Sequence, residues 1–126
     1  MATKQVKYVD GFVIPVPKKN TATYAAMARE GAKVWMKFGA LDYKECMLND
    51  VKPDKMVIRT FPKMVKVRPG ETVWFSYIGY KSRAHRDAVN KKVMAYFSKK
   101  YPKAKMKMPF DMKRFSYGGF KVMVSN

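Results

Sequence analysis

Only 9 aspartates and glutamates stand against 27 lysines and arginines in these 126 residues, so the position of an acid is the more informative signal. Asp10 interrupts an apolar, β-rich run beside Gly11, Glu45 lies in an alternating segment, and Asp111 and Arg114 follow Pro109. A carboxyl withdrawn from water beside an arginine either orients a substrate as an ionised partner or holds a turn. His85 is the single histidine, and its ring is the side chain that titrates nearest neutrality, which makes it a candidate general base. Asp10, Glu45, His85, Asp111 and Arg114 are therefore the candidate catalytic residues. Each also has a plainer reading: a surface ring between Arg83 and Arg86 for His85, a turn cap for Asp111, a Glu45–Arg114 ion pair. Trp74, Tyr77, Tyr117 and Gly118 are the candidate ligand-binding residues, able to line an aromatic pocket for a small molecule or to fill a dimer core.

Other chemistry finds little support. Cys46 is the only cysteine, so no intramolecular disulfide forms, and no base beside it marks it as a nucleophile. One cysteine and one histidine make no metal-ligand set, and Gly118-Gly119 lacks the spacing and the strand-turn-helix context of a phosphate loop. No metal or cofactor is expected.

The elements that must position these groups follow from periodicity. Tyr8–Ile14 reads as a first strand closed by Pro15 and Pro17. Asn20 or Thr21 caps a helix over about 20–38, with Tyr24, Met27, Ala28, Gly31, Val34, Trp35 and Phe38 on its inner stripe and Gly39 after its end. Residues 40–47 alternate, with Leu41, Tyr43, Glu45 and Met47 on one face and Asp42, Lys44 and Cys46 on the other, and are polar enough for an edge strand. Pro53 and Pro62 make Leu48–Arg68 an extended excursion with a short turn at Phe61–Val65. The run Thr72–Tyr80 is the most strand-like, and Ser82 caps a second helix over about 82–99, with Ala84, Ala88, Val89, Lys92, Val93, Tyr96 and Phe97 inward. Tyr101–Lys107 reads as a lysine-rich loop. Beyond the rigid Pro109 turn, a last strand begins near Arg114 and is apolar on both faces, which predicts a central position.

Strand, helix, strand, strand, helix, strand within one domain over 1–126 is a ferredoxin-like α+β arrangement, a four-stranded antiparallel sheet with two helices on one face. Large apolar residues on both strand faces then demand a cover for the second face, and sheet-to-sheet homodimerisation into a barrel is the simplest one. The net charge of +18 allows two expectations, solvated surface or binding of RNA, DNA or another polyanion. No apolar run approaches a membrane span and Met1–Gln5 carries no apolar signal, so the expected compartment is the cytoplasm.

Several segments resemble a known group: Tyr8–Val13, Phe38–Leu41 with Glu45-Cys46, Val73–Tyr77, Arg86–Asn90, and Met108–Asp111 through Gly118-Gly119-Phe120. They are similar, over nearly the whole chain, to the YbaA-like bacterial family, a domain of unknown function in the dimeric α/β-barrel superfamily. The resemblance implies the same fold and a homodimer, and carries over no cofactor and no catalytic residue. Relatives in that superfamily include cofactor-independent monooxygenases and decarboxylating enzymes as well as small stress proteins, so enzyme and binder both stay open. The expected function is a small homodimeric domain with a small-molecule pocket between sheet and helices; polyanion binding and a cofactor-independent enzyme are the alternatives.

Overall fold

The computed structural model describes residues 5–102 and 107–126, so the loop expected over Tyr101–Lys107 lies mostly outside the described residues. Its elements are β1 (Tyr8–Pro17), α1 (Thr21–Lys37), β2 (Asp42–Met47), α2 (Phe61–Met64), β3 (Glu71–Tyr80), α3 (Arg83–Lys100) and β4 (Ser116–Lys121). The strands form one sheet in the order β2-β3-β1-β4 with every neighbour antiparallel, the ferredoxin-like topology that the element order predicts.

Three local expectations change. β1 runs through both prolines to Pro17: past Val13 it pairs with β3 alone, so a missing backbone donor is tolerated where one flank has no partner strand. β4 is an edge strand and not a central one, because it pairs only with β1. Its two-faced apolar character instead leaves Phe120 61% exposed. On α3, Val89 and Val93 are buried while Ala84, Ala88 and Lys92 face out; Arg86 and Asn90 take the remaining inward positions at the same helical spacing.

Capping follows the chemistry of the ends. Ser82 Oγ accepts from His85 N at 3.0 Å to start α3, and Gly39, at φ +115°, supplies the left-handed residue that ends α1. Asn20 occupies the N-cap position of α1 without capping it; its amide donates to Pro109 O at 2.9 Å and so ties the turn before β4 to the start of α1.

The core lies between the sheet and the helices in two clusters. One gathers Ile14, Val16, Tyr24, Ala28, Trp74 and Phe110, the other Val34, Ala40, Ile78, Tyr80, Val89 and Val93, and Phe12 packs against both. The opposite face of the sheet is covered only in part, where Phe61 of α2 stacks on Phe75 with ring centroids 6.2 Å apart. Phe75 stays 43% exposed there.

Candidate functional site

Strand alternation sends Tyr43 and Glu45 of β2, Ser76 and Ile78 of β3, and Phe12 and Ile14 of β1 to the helix side. Above them Tyr24, Met27, Gly31 and Trp35 descend from α1, and Met94 and Phe97 from α3. The segment before β4 closes one side with Met108, Phe110, Met112 and Phe115. Together they enclose a hollow of about 670 Å³, within the range of small-molecule sites. Its wall is aromatic and thioether-rich, the second a surface that adapts to irregular shapes. Only two charged residues line it among the described residues, Glu30 and Glu45, an acidic pair in a chain dominated by bases.

Glu45 is held by hydroxyl groups, two of them phenols, with no cation beside it. Tyr24 Oη donates to Oε1 at 2.9 Å and Tyr43 Oη to Oε2 at 2.8 Å. Burial pushes the carboxyl above the usual glutamate range, and the hydroxyls of Tyr43, Tyr24 and Ser76 pull against that rise without cancelling it. Burial, then the charge of Glu45, drives both phenols far above the ordinary tyrosine value, so they remain donors. Gly31 makes this possible: a Cβ there would come within 3.0 Å of Tyr43 Oη. At the rim, Glu30 is satisfied by Lys100 Nζ at 2.5 Å and by Tyr101 Oη at 2.9 Å. The Lys100 hydrogen bond, then that of Tyr101, holds Glu30 below the usual range.

Asp10 belongs to a second cluster at the other end of the helix-facing side. Its carboxyl is 1% exposed and accepts from Arg86 Nη1 at 2.6 Å and Tyr117 Oη at 3.2 Å. Arg86 also donates from Nη1 to Tyr117 Oη at 2.5 Å and from Nε to Asp87 at 2.7 Å, and its guanidinium lies 5.1 Å over the Tyr8 ring. Gly119 is required beside it, since a Cβ would fall on the Tyr8 hydroxyl and within 3.2 Å of Arg86.

The remaining candidates are dispersed. His85 lies outside the lining of the hollow, with Nδ1 accepting from Lys81 N at 2.9 Å and the ring edge against Tyr80; burial, then the Lys81 charge, lowers its pKa. Asp111 accepts from Lys113 N at 2.9 Å and caps its turn. Arg114 pairs with Glu71 at 2.5 Å and not with Glu45, which corrects the expected Glu45–Arg114 pair. Trp74 packs behind the wall against Tyr24, with centroids 4.6 Å apart, Tyr77 reaches Asp42 at 3.2 Å, Tyr117 serves Asp10, and Gly118 lies against Phe120. None of these four lines the hollow; of all the candidates named from sequence, only Glu45 does.

Tyr24, Tyr43 and Arg86 escaped selection as site residues. The spacing of Tyr43 and Glu45 on one face of β2 signals that pair, and Tyr24 sits on the α1 stripe. Arg86 reads as solvated in sequence, and only its spacing of three and seven from Val89 and Val93 signals an inward side chain.

A family model described as "Protein of unknown function (DUF1428)" matches residues 7–112. Uncharacterized protein YbaA of Escherichia coli K12 is 40% identical over 119 residues, 94% of this chain and 98% of that protein, and the protein of that name in Shigella flexneri matches equally. Among solved structures, a dimeric ferredoxin-like protein from an uncultured marine organism aligns with a TM-score of 0.55 at 13% identity, covering 97% of this chain and 100% of its own, a likeness of fold. Among the described residues no helix is long and apolar enough to cross a membrane, and no group of three or more histidines, cysteines, aspartates or glutamates is placed to hold a metal.

Proposed function

We propose, for a chain that belongs to the DUF1428 family, that the hollow between sheet and helices binds an apolar small molecule with its polar end at Glu45. One observation carries the reading: a carboxyl raised by burial, with no cationic partner, opens into an aromatic space of ligand size. A carboxyl kept only to hold the fold would be expected to sit beside a base, as Asp10 does.

We further propose that the binding unit is a homodimer joined through the outer sheet face. Support comes from Phe75 and Phe120 on that face, from the exposed Met56-Val57-Ile58 of the excursion, and from the dimeric state named for the structural neighbour. An enzyme without cofactor would use the same hollow, with Glu45 as the group that takes a proton. Polyanion binding rests on a different feature, the exposed excursion over residues 51–59 with Lys52, Lys55 and Arg59. A steep loss of RNA or DNA affinity with added salt would support it, and equal weak binding to heparin would reduce it to non-specific charge.

The uncharged fluorophore N-phenyl-1-naphthylamine tests the hollow. Saturable binding is expected, lost when Met94→Trp fills the space and kept when Phe120→Lys alters the outer face. Absence of saturable binding, or equal binding by the filled variant, removes the reading. Light scattering at high salt tests the assembly: the native chain should run as a dimer and Phe75→Lys with Phe120→Lys as a monomer, whereas a native monomer sinks it.

A further inference from the structure

The hollow's polarity is opposite to that of the rest of the molecule. In a chain of net charge +18, its two charged lining residues among the described ones are both glutamates. Glu30 is already satisfied by Lys100 and Tyr101 at the rim. Glu45 has hydrogen bonds from Tyr24 and Tyr43 but no counter-charge. A carboxylate taken out of water and left without a cation is costly, and a cation that enters the site recovers that cost. The surroundings suit a cation as well: the hydroxyls of Tyr24 and Tyr43 bond the carboxyl, and Trp35 lies 6.0 Å from Tyr43, so aromatic residues and a carboxylate meet at one end of an otherwise apolar space.

We propose that the ligand is a lipophilic amine, its apolar body among the aromatic and methionine side chains and its ammonium on Glu45. This rests on the hollow being a binding site, and it adds the sign of the ligand's charge. The carboxylate recognises the ammonium by a charge-assisted hydrogen bond. An apolar acid of the same size is rejected, because it would bring a second negative charge to Glu45 with no base at hand. The surface pulls the other way: +18 attracts anions and repels cations. A preference for the amine therefore has to come from the hollow and not from the surface.

Three probes with the same apolar body, 4-phenylbutylamine, 4-phenylbutanol and 4-phenylbutanoate, are titrated into the native chain by calorimetry at near-physiological salt. The amine is expected to bind on the order of tenfold tighter than the alcohol, as hydrogen bonds to a charged group do, and the acid weakest. Glu45→Gln should abolish the amine's advantage over the alcohol. The native chain offers a reading independent of any variant: amine affinity should fall as the pH drops and Glu45 takes up its proton, while alcohol affinity holds. Tyr24 and Tyr43 are the titratable groups facing Glu45, with Glu30, Lys100 and Tyr101 at the rim; the tyrosines and Lys100 titrate far above that window, and Glu30 is held below the usual range. Equal or tighter binding of the alcohol overturns the amine assignment and leaves the hollow a binding site. Binding of none of the three overturns both.

Discussion

Two acids on the helix-facing side of one sheet sit in contrasting settings. Asp10 on β1 and Glu45 on β2 both accept hydrogen bonds from tyrosines, Asp10 from Tyr117 and Glu45 from Tyr24 and Tyr43. Asp10 also faces Arg86 at 2.6 Å, closed in by Tyr8 and by the bare backbone of Gly119. Glu45 faces open space. In the first arrangement the buried carboxylate has its cation, and Arg86 of α3 bonds Asp10 of β1 and Tyr117 of β4, so it fastens the three elements together. The second is incomplete in charge, and the missing component is what the hollow is shaped to receive. An acid near tyrosines is thus no index of function; the presence or absence of a base beside it separates a brace from a binding group.

The largest expected effect comes from breaking the brace. Asp10→Ala leaves Arg86 with only the exposed Asp87 and removes the buried carboxylate from Nη1; the loss of one partner from such a buried pair costs about 3 kcal/mol in urea denaturation. Replacing both partners, Asp10→Val with Arg86→Leu, should restore most of that loss, because it is the unpaired charge that is expensive. A single-variant cost below about 1 kcal/mol would place Asp10 outside the stability of the fold.

Glu45 should behave in the opposite way, with a smaller effect. Its folded pKa lies above the ordinary 4.5, so the folded chain binds this proton more tightly than the unfolded chain does. Stability from this group is therefore highest at low pH, falls as the pH rises from 4.5 through the raised value, and stays lowered above it. Glu45→Gln carries no such loss. Thermal melts from pH 4 to 8 should show the variant gaining on the native chain across that window; a constant difference would contradict the uncompensated carboxyl.

Much of this contrast can be traced back to local sequence, and the limits are physical. The alternation of Tyr43 and Glu45 along β2 and the Tyr24 stripe of α1 place all three on inner faces, but their meeting depends on how closely α1 approaches β2, which Gly31 sets. Arg86 reads as solvated because a lone cation in a charged helix has no local marker for the acid it will meet, and Asp10 lies far from it along the chain. β4 reads as central from its sequence because two-faced apolarity is the same in a covered central strand and in an edge strand with an exposed outer face. Strand order depends on long-range pairing that local periodicity does not encode. The aromatic character of Trp74, Tyr77 and Tyr117 suits a pocket wall, yet they lie behind or beside the hollow rather than along it.

Titration of the glutamate side chains by carbon NMR, with and without saturating 4-phenylbutylamine, tests the central claim most directly. The Glu45 carboxyl should titrate above the ordinary 4.5 in the free chain and move down when the ammonium arrives. A Glu45 resonance that titrates at or below the ordinary value, unmoved by the amine, would contradict the account.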